Sequence, residues 1–186
     1  MTVPAKARAV IIGGGVIGCS IAYHLGKLGW TDVVLLERKQ LTCGTTWHAA
    51  GLIAQLRATQ NMTRLAKYSQ ELYFGLEAET GVATGFKRNG SITVALTDER
   101  MEELRRSAAM ARAFGVEIDE ISPSEISARY PHLNVEDTVG AVWLPKDGQA
   151  DPVNITQALA KGARNHGVKI IQGVKVTDIH QNDGRV

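Results

Sequence analysis

Residues 8–37 place the strongest constraint on what this chain can fold into. The apolar run Arg8-Ala9-Val10-Ile11-Ile12 meets Gly13-Gly14-Gly15, and apolar residues then recur at helical spacing from Val16 to Leu28, before Gly29. Asp32-Val33-Val34-Leu35-Leu36-Glu37 follows as a second apolar run, ending in an acid. Two buried strands joined by a helix within roughly 30 residues make a βαβ unit, with parallel strands and a right-handed crossover. Gly13-x-Gly15-x-x-Gly18 sits at the first strand-to-helix junction, the context in which this spacing has physical meaning. Gly13 permits a tight turn, Gly15 lets the backbone approach a pyrophosphate, and Gly18 lets the helix pack on the strand. Val16 and Ile17 open that helix, whose unpaired N–H groups and positive dipole end favour the anion. Glu37 is placed to accept the ribose hydroxyls of a dinucleotide, and its charge disfavours a 2′-phosphate. The spacing serves NAD and FAD alike. Arg38 joins the candidate cofactor contacts, although a lone Arg after a strand also reads as a solvated side chain.

Further along, the spacing predicts a helix over 62–76 closed by Gly81, a strand over 90–96, and a helix capped by Thr97. Met101, Leu104, Ala108 and Ala111 form the buried face of that last helix. Ser122-Pro123-Ser124-Glu125 is a capping box with Pro at the first helical position, opening a short helix that runs to Tyr130. A strand over 139–144 precedes Asp151-Pro152, which opens a helix running to Gly167. Strands over 168–171 and 174–179 follow, and Asp183-Gly184-Arg185-Val186 reads as a hairpin turn entering another strand. A chain that stops there is expected to be an N-terminal fragment.

The 186 residues are 44% apolar and 22% charged, enough to bury a real core. Lys plus Arg number 21 against 19 for Asp plus Glu, a balance that gives no footprint for nucleic acid or an anionic membrane. No apolar run approaches the roughly 20 residues of a transmembrane helix. Two cysteines make no disulfide framework, and too few residues precede Arg8 for a signal or transit peptide. A soluble cytoplasmic protein is expected, with no metal site.

Residues 41–58 lack a clean period and are rich in small side chains, as a binding loop with a helical turn beside a flat cofactor would be. Within them, Thr42-Cys43-Gly44-Thr45-Thr46-Trp47-His48-Ala49-Ala50-Gly51-Leu52 resembles a segment of the sarcosine dehydrogenase and dimethylglycine dehydrogenase family of flavoproteins. In that family a histidine in such a segment is bonded to the 8α-methyl of FAD. The matching residue is His48, with Thr45, Thr46, Ala49, Gly51 and Leu52 as accompanying cofactor contacts. A neutral imidazole is a competent nucleophile toward a benzylic carbon, and once attached it makes the flavin a stronger oxidant. His24, His132, His166 and His180 are assigned no chemistry.

The resemblance extends through Gly85-Phe86-x-x-Asn89-Gly90-Ser91 and Trp143-Leu144-Pro145-x-Asp147-Gly148-x-x-Asp151-Pro152. It also covers the strand Val174 to Ile179, where Val176 matches the residue whose backbone meets the adenine. It implies an α/β Rossmann-like FAD-binding domain with a parallel sheet, formed by residues 1–88 and 151–186. Residues 89–150 would begin an inserted α+β substrate domain. Family members are several times longer and carry the rest of the substrate domain, a second FAD-contacting segment and usually a folate-binding region. No catalytic base is assigned within this chain, and the fragment alone is expected to be inactive.

The implied reaction is FAD-dependent oxidation of the N-methyl C–H of sarcosine or dimethylglycine to an iminium, with release of a one-carbon unit. Electrons would pass to oxygen or to an electron-transfer flavoprotein. Gly51-Leu52-Ile53-Ala54-Gln55-Leu56-Arg57 leans toward the sarcosine branch. One alternative is a glycine or amino-acid oxidase with non-covalent FAD. Another, of a different class, is a non-catalytic relative like the regulatory subunit of pyruvate dehydrogenase phosphatase.

Overall fold

A computed structural model describes residues 2–183 and 186. The chain divides into two compact units: Met1–Gly51 with Tyr73–Gly85 and Ala150–Val186, and Leu52–Leu72 with Phe86–Gln149. Residues 52–72, expected in the first domain, group with the second. Hydrogen bonds to residues of the second unit explain it: the Gln55 backbone N–H donates to Asp147 Oδ1 at 2.9 Å, and the Gln70 side-chain amide donates to the Lys146 carbonyl.

The first unit is built on a parallel sheet of β1 (Ala9–Ile12), β2 (Val33–Glu37) and β3 (Lys169–Gln172), with β2 in the middle. All five β2 residues are buried, as its apolar run requires. Helix α1 (Val16–Lys27) packs against α2 (Pro152–Asn165). Glycines set how closely these two helices approach. A Cβ on Gly162 would lie 2.7 Å from the Tyr23 ring, and one on Gly26 would lie 2.8 Å from the His166 Cβ. Asp151 caps α2, accepting from the Asn154 N–H at 2.9 Å, with Pro152 next to it as predicted.

Two expectations fail in this unit. Strand β1 was expected buried, but Val10 and Ile12 are 55% and 53% exposed, because β1 is the sheet edge and one of its faces is uncovered. Residues 174–179 form no strand, because no described strand pairs with them. Val174 donates its N–H to the Glu37 carbonyl, and Val174 and Val176 rest on Val34, Leu36 and Ile171. Gly184 and Arg185, the centre of the predicted hairpin turn, lie outside the described residues.

The second unit holds an antiparallel sheet of β4 (Ser91–Ala95), β5 (Asp119–Ile121) and β6 (Gly140–Leu144), with β6 central. The register pairs Ile92 with Trp143 and both Val94 and Ile121 with Ala141, so these side chains share a face. Helix α3 (Asp98–Ala113) covers the other face, with Met101, Leu104, Ala108 and Ala111 packed on Ala95, Val142 and Leu144. Thr97 caps α3 through the Arg100 N–H at 3.2 Å. The Ser122–Glu125 capping box starts α4 (Pro123–Arg129), whose Ile126 packs on Ile121 and Ala141. Strand β5 and the two-residue pair Leu52–Ile53 with Gly148–Gln149 are too short to show a period in the sequence.

Candidate functional site

A cleft of about 600 Å³ opens in the first unit at the carboxyl ends of β1 and β2. The end of β1, the glycine loop and the start of α1 form one wall; Glu37, Arg38, Cys43–Thr46 and Ala49 form another. In an open parallel sheet this is the end at which ligands bind.

Each motif glycine has its own steric reason. Gly13 has φ +107°, which a side chain would strain, and its N–H donates to the Leu36 carbonyl at 2.9 Å. A Cβ on Gly18 would stand 2.0 Å from the Gly13 carbonyl oxygen, so helix and loop touch there. A Cβ on Gly15 would lie 3.0 Å from Thr46 Oγ1. Gly14, which the motif leaves free, is constrained as well: its Cβ would come within 2.5 Å of Leu41 and 3.0 Å of Glu37.

Gly15 is the N-cap of α1 and supplies no side-chain acceptor, and the helix has no acid in its first turn. By contrast Thr97, Ser122 and Asp151 cap the other helices described above. One donor of this open end is engaged, the Val16 N–H bonding Thr46 Oγ1 at 3.1 Å. A glycine-walled cleft facing the positive end of a 12-residue helix fits a pyrophosphate.

Glu37 is 8% exposed, and both its carboxylate oxygens are held. Oε2 accepts from the Gly14 N–H at 2.7 Å, Oε1 from the Lys39 N–H at 2.8 Å, and the Cys43 thiol approaches Oε1 at 3.8 Å. Burial raises the Glu37 carboxyl pKa, but these three donors and the Arg38 charge outweigh it and leave it below the ordinary glutamate value. Each oxygen keeps a second lone pair, so Glu37 can brace the glycine loop and still accept a ribose hydroxyl. Beneath the loop, Cys19 Sγ lies 3.7 Å from the Gly14 carbonyl oxygen. Burial pushes that thiol up to about 12, with Arg164 opposing and Glu37 reinforcing the shift.

The chain enters the next segment through Thr42, a non-glycine residue at φ +71° whose N–H donates to the Gly14 carbonyl at 3.0 Å. The helical turn expected in this loop is a 3₁₀ turn over Thr46–His48. Gly51 has φ +77°, and a Cβ there would meet the Ala150 carbonyl oxygen at 2.1 Å.

Of the predicted contacts, Gly13, Gly15, Val16, Ile17, Gly18, Glu37, Arg38, Thr45, Thr46 and Ala49 line the cleft together. His48, Gly51, Leu52 and Val176 do not. His48 is exposed on its turn, Gly51 pairs with Ala150, Leu52 is exposed, and Val176 packs beside β2 and β3. Sequence reasoning missed Ile11, Ile12, Gly14, Ile21, Cys43 and Gly44 as cleft residues, and only the tripled glycine hinted at Gly14.

A parallel βαβ unit with a glycine loop, an open helix end and a strand-terminal acid defines a dinucleotide-binding protein. The chain belongs to the family of FAD-dependent oxidoreductases, which it matches over residues 8–186. It is 41% identical over 177 residues to human sarcosine dehydrogenase, covering 95% of this chain and 19% of that protein. It is 42% identical over 174 residues to rat (Rattus norvegicus) dimethylglycine dehydrogenase, covering 94% of this chain and 20% of the relative. It is also 39% identical over 186 residues to the mouse pyruvate dehydrogenase phosphatase regulatory subunit, covering 100% of this chain and 21% of the relative. The chain thus spans about a fifth of the length of these curated relatives. Among solved structures, L-proline dehydrogenase from P. horikoshii superposes with a TM-score of 0.91 at 30% identity, over 97% of this chain and 48% of that one. Among the described residues, no helix is long and apolar enough to cross a membrane.

Proposed function

We propose that the chain is the FAD-binding portion of an amine oxidoreductase that oxidises the N-methyl C–H of sarcosine or dimethylglycine to an iminium. The uncapped N-terminus of α1 opening on the glycine-walled cleft beside the Glu37 carboxylate carries the FAD part of this reading, and the likeness to sarcosine and dimethylglycine dehydrogenases along this chain supports the substrate class. Gly13, Gly15, Val16, Ile17 and Gly18 would hold the FAD pyrophosphate, Glu37 with Arg38 the ribose, and the Val176 backbone the adenine. Thr45, Thr46, Ala49, Gly51 and Leu52 would carry the histidine segment along the ring, with His48 as covalent anchor. Bound FAD supplies a two-electron sink; this chain binds, orients and tethers it. On this proposal the unit of residues 1–51, 73–85 and 150–186 serves FAD, and the unit of residues 52–72 and 86–149 begins the substrate domain. No residue of this chain is proposed as the catalytic base.

The iminium would yield formaldehyde or pass its carbon to folate, and the electrons would go to oxygen or an electron-transfer flavoprotein. The compartment is proposed as cytoplasmic, on a sequence whose two cysteines make no disulfide framework. The human sarcosine dehydrogenase and the mouse regulatory subunit are named as mitochondrial, so cell fractionation is the check.

A second reading has a specific observation behind it: the regulatory-subunit relative matches the whole chain. Acid precipitation of the longer native protein separates the possibilities. A yellow pellet is the result the covalent enzyme requires. A yellow supernatant over a white pellet would mean non-covalent FAD of the oxidase type. Protein that never takes up flavin would be the regulatory relative.

A further inference from the structure

We propose that the second unit carries a binding pocket for a small carboxylate with a flat apolar body, set between α4 and the sheet face opposite α3. It is independent of the FAD reading, since the pocket shares no residue with the dinucleotide cleft.

The pocket exists because α4 covers that sheet face only in part. Ile126 packs over Ile121 and Ala141. Beyond them, Ile92, Val94 and Trp143 floor a cavity of about 410 Å³ with Leu133 at its side, a size that holds one small molecule. Gly90 shapes the floor. It has φ +74°, and a Cβ there would run into the Trp143 ring, so glycine lets the indole lie over the backbone just before β4.

The polar side chains of the lining are Arg129, Tyr130 and Asn89, and all three can donate. Arg129 ends α4, with its guanidinium carbon 5.6 Å from the Trp143 ring centroid. Its Nη1 makes one long bond, to the Glu125 carbonyl at 3.4 Å. The Glu125 carboxylate is turned to Ser122, Oε2 accepting from the Ser122 N–H and hydroxyl at 2.8 Å each. Among the described residues no carboxylate pairs with Arg129, and the Tyr130 hydroxyl and Asn89 amide make no hydrogen bond.

One cation beside two neutral donors suits a single negative charge, and a guanidinium fork takes a carboxylate on two parallel N–H bonds. The indole and aliphatic walls suit a flat apolar body behind that carboxylate. No acid lines the pocket to receive an ammonium, so the occupant is an acid without an amine.

The probe is trans-cinnamate, with cinnamyl alcohol as its uncharged counterpart, titrated into the longer native protein by calorimetry. Wild type is expected to bind cinnamate at least tenfold more tightly than the alcohol. Arg129 is exposed, so Arg129→Met leaves the core intact. That variant is expected to weaken cinnamate about 10- to 100-fold, as loss of a hydrogen bond to a charged group does, with the alcohol unaffected. Quenching of tryptophan fluorescence by cinnamate should be lost in Trp143→Phe, which separates this pocket from Trp30 and Trp47. Equal cinnamate binding by wild type and Arg129→Met overturns the inference, as does quenching that survives in Trp143→Phe. So does the absence of saturable binding, the result if the rest of the longer chain fills the pocket.

Discussion

Glu37→Gln changes one atom and should be expensive. The carboxylate accepts two backbone N–H groups, from Gly14 at 2.7 Å on one oxygen and from Lys39 at 2.8 Å on the other. A glutamine amide has one acceptor oxygen, so whichever way it turns, one of those N–H groups faces an NH₂ donor. With only 8% of Glu37 exposed, water replaces the lost partner poorly. A hydrogen bond to a charged acceptor contributes about 1.5–3 kcal/mol and an unmet buried donor costs in the same range, which puts the loss at about 2–3 kcal/mol. The assay is urea denaturation at pH 7, with the midpoint shifting and the slope unchanged. The pH dependence follows from the lowered Glu37 pKa. A carboxyl whose folded pKa lies below its unfolded value of about 4.3 contributes stability above that value and loses it as pH falls through the folded pKa. The gap between wild type and Gln should therefore narrow as the pH falls below about 4.3 and stay open at pH 7. A Gln variant within about 0.5 kcal/mol of wild type at pH 7 would refute the bracing role, as would a gap that persists undiminished in acid.

Gly15→Val is expected to abolish flavin retention, because a Cβ there would lie 3.0 Å from Thr46 Oγ1 and a branched side chain would take up the phosphate's space; a full flavin complement by absorbance would contradict this. In the native chain a thiol reagent near pH 8 should titrate exposed Cys43 alone and reach Cys19 only after denaturation, since burial pushes Cys19 up to about 12. Two thiols reacting at native speed would sink that expectation.

Much of the fold was legible wherever one local rule sufficed. Thr97, Ser122 with Glu125, and Asp151 cap the helices that their side chains and following residues announced, and Met101, Leu104, Ala108 and Ala111 are buried at helical spacing. What stayed hidden depends on partners distant in the chain. Alternation in Val174–Ile179 gives a sidedness, but a strand also needs a neighbour, and no described one pairs with it. Val10 and Ile12 look buried by composition, yet the cover a parallel strand receives is decided by its place in the sheet. At the site, the glycine spacing foretold the turn at Gly13 and the contact at Gly18. It could not foretell that Glu37 spends both oxygens on backbone N–H groups, because that depends on how the ends of β1 and β2 meet. His48 was legible only by resemblance; its stacking on Trp47 required coordinates.

The most direct measurement is the mass of one tryptic peptide from the longer native protein after denaturation. Cleavage at Lys39 and Arg57 releases residues 40–57, which contain His48. If His48 tethers FAD, that peptide carries the added mass of the cofactor, fragmentation places it on the histidine, and His48→Ala protein holds FAD that acid releases. An unmodified 40–57 peptide from a yellow, active protein would contradict the tether, leaving FAD held by the glycine loop and Glu37 alone.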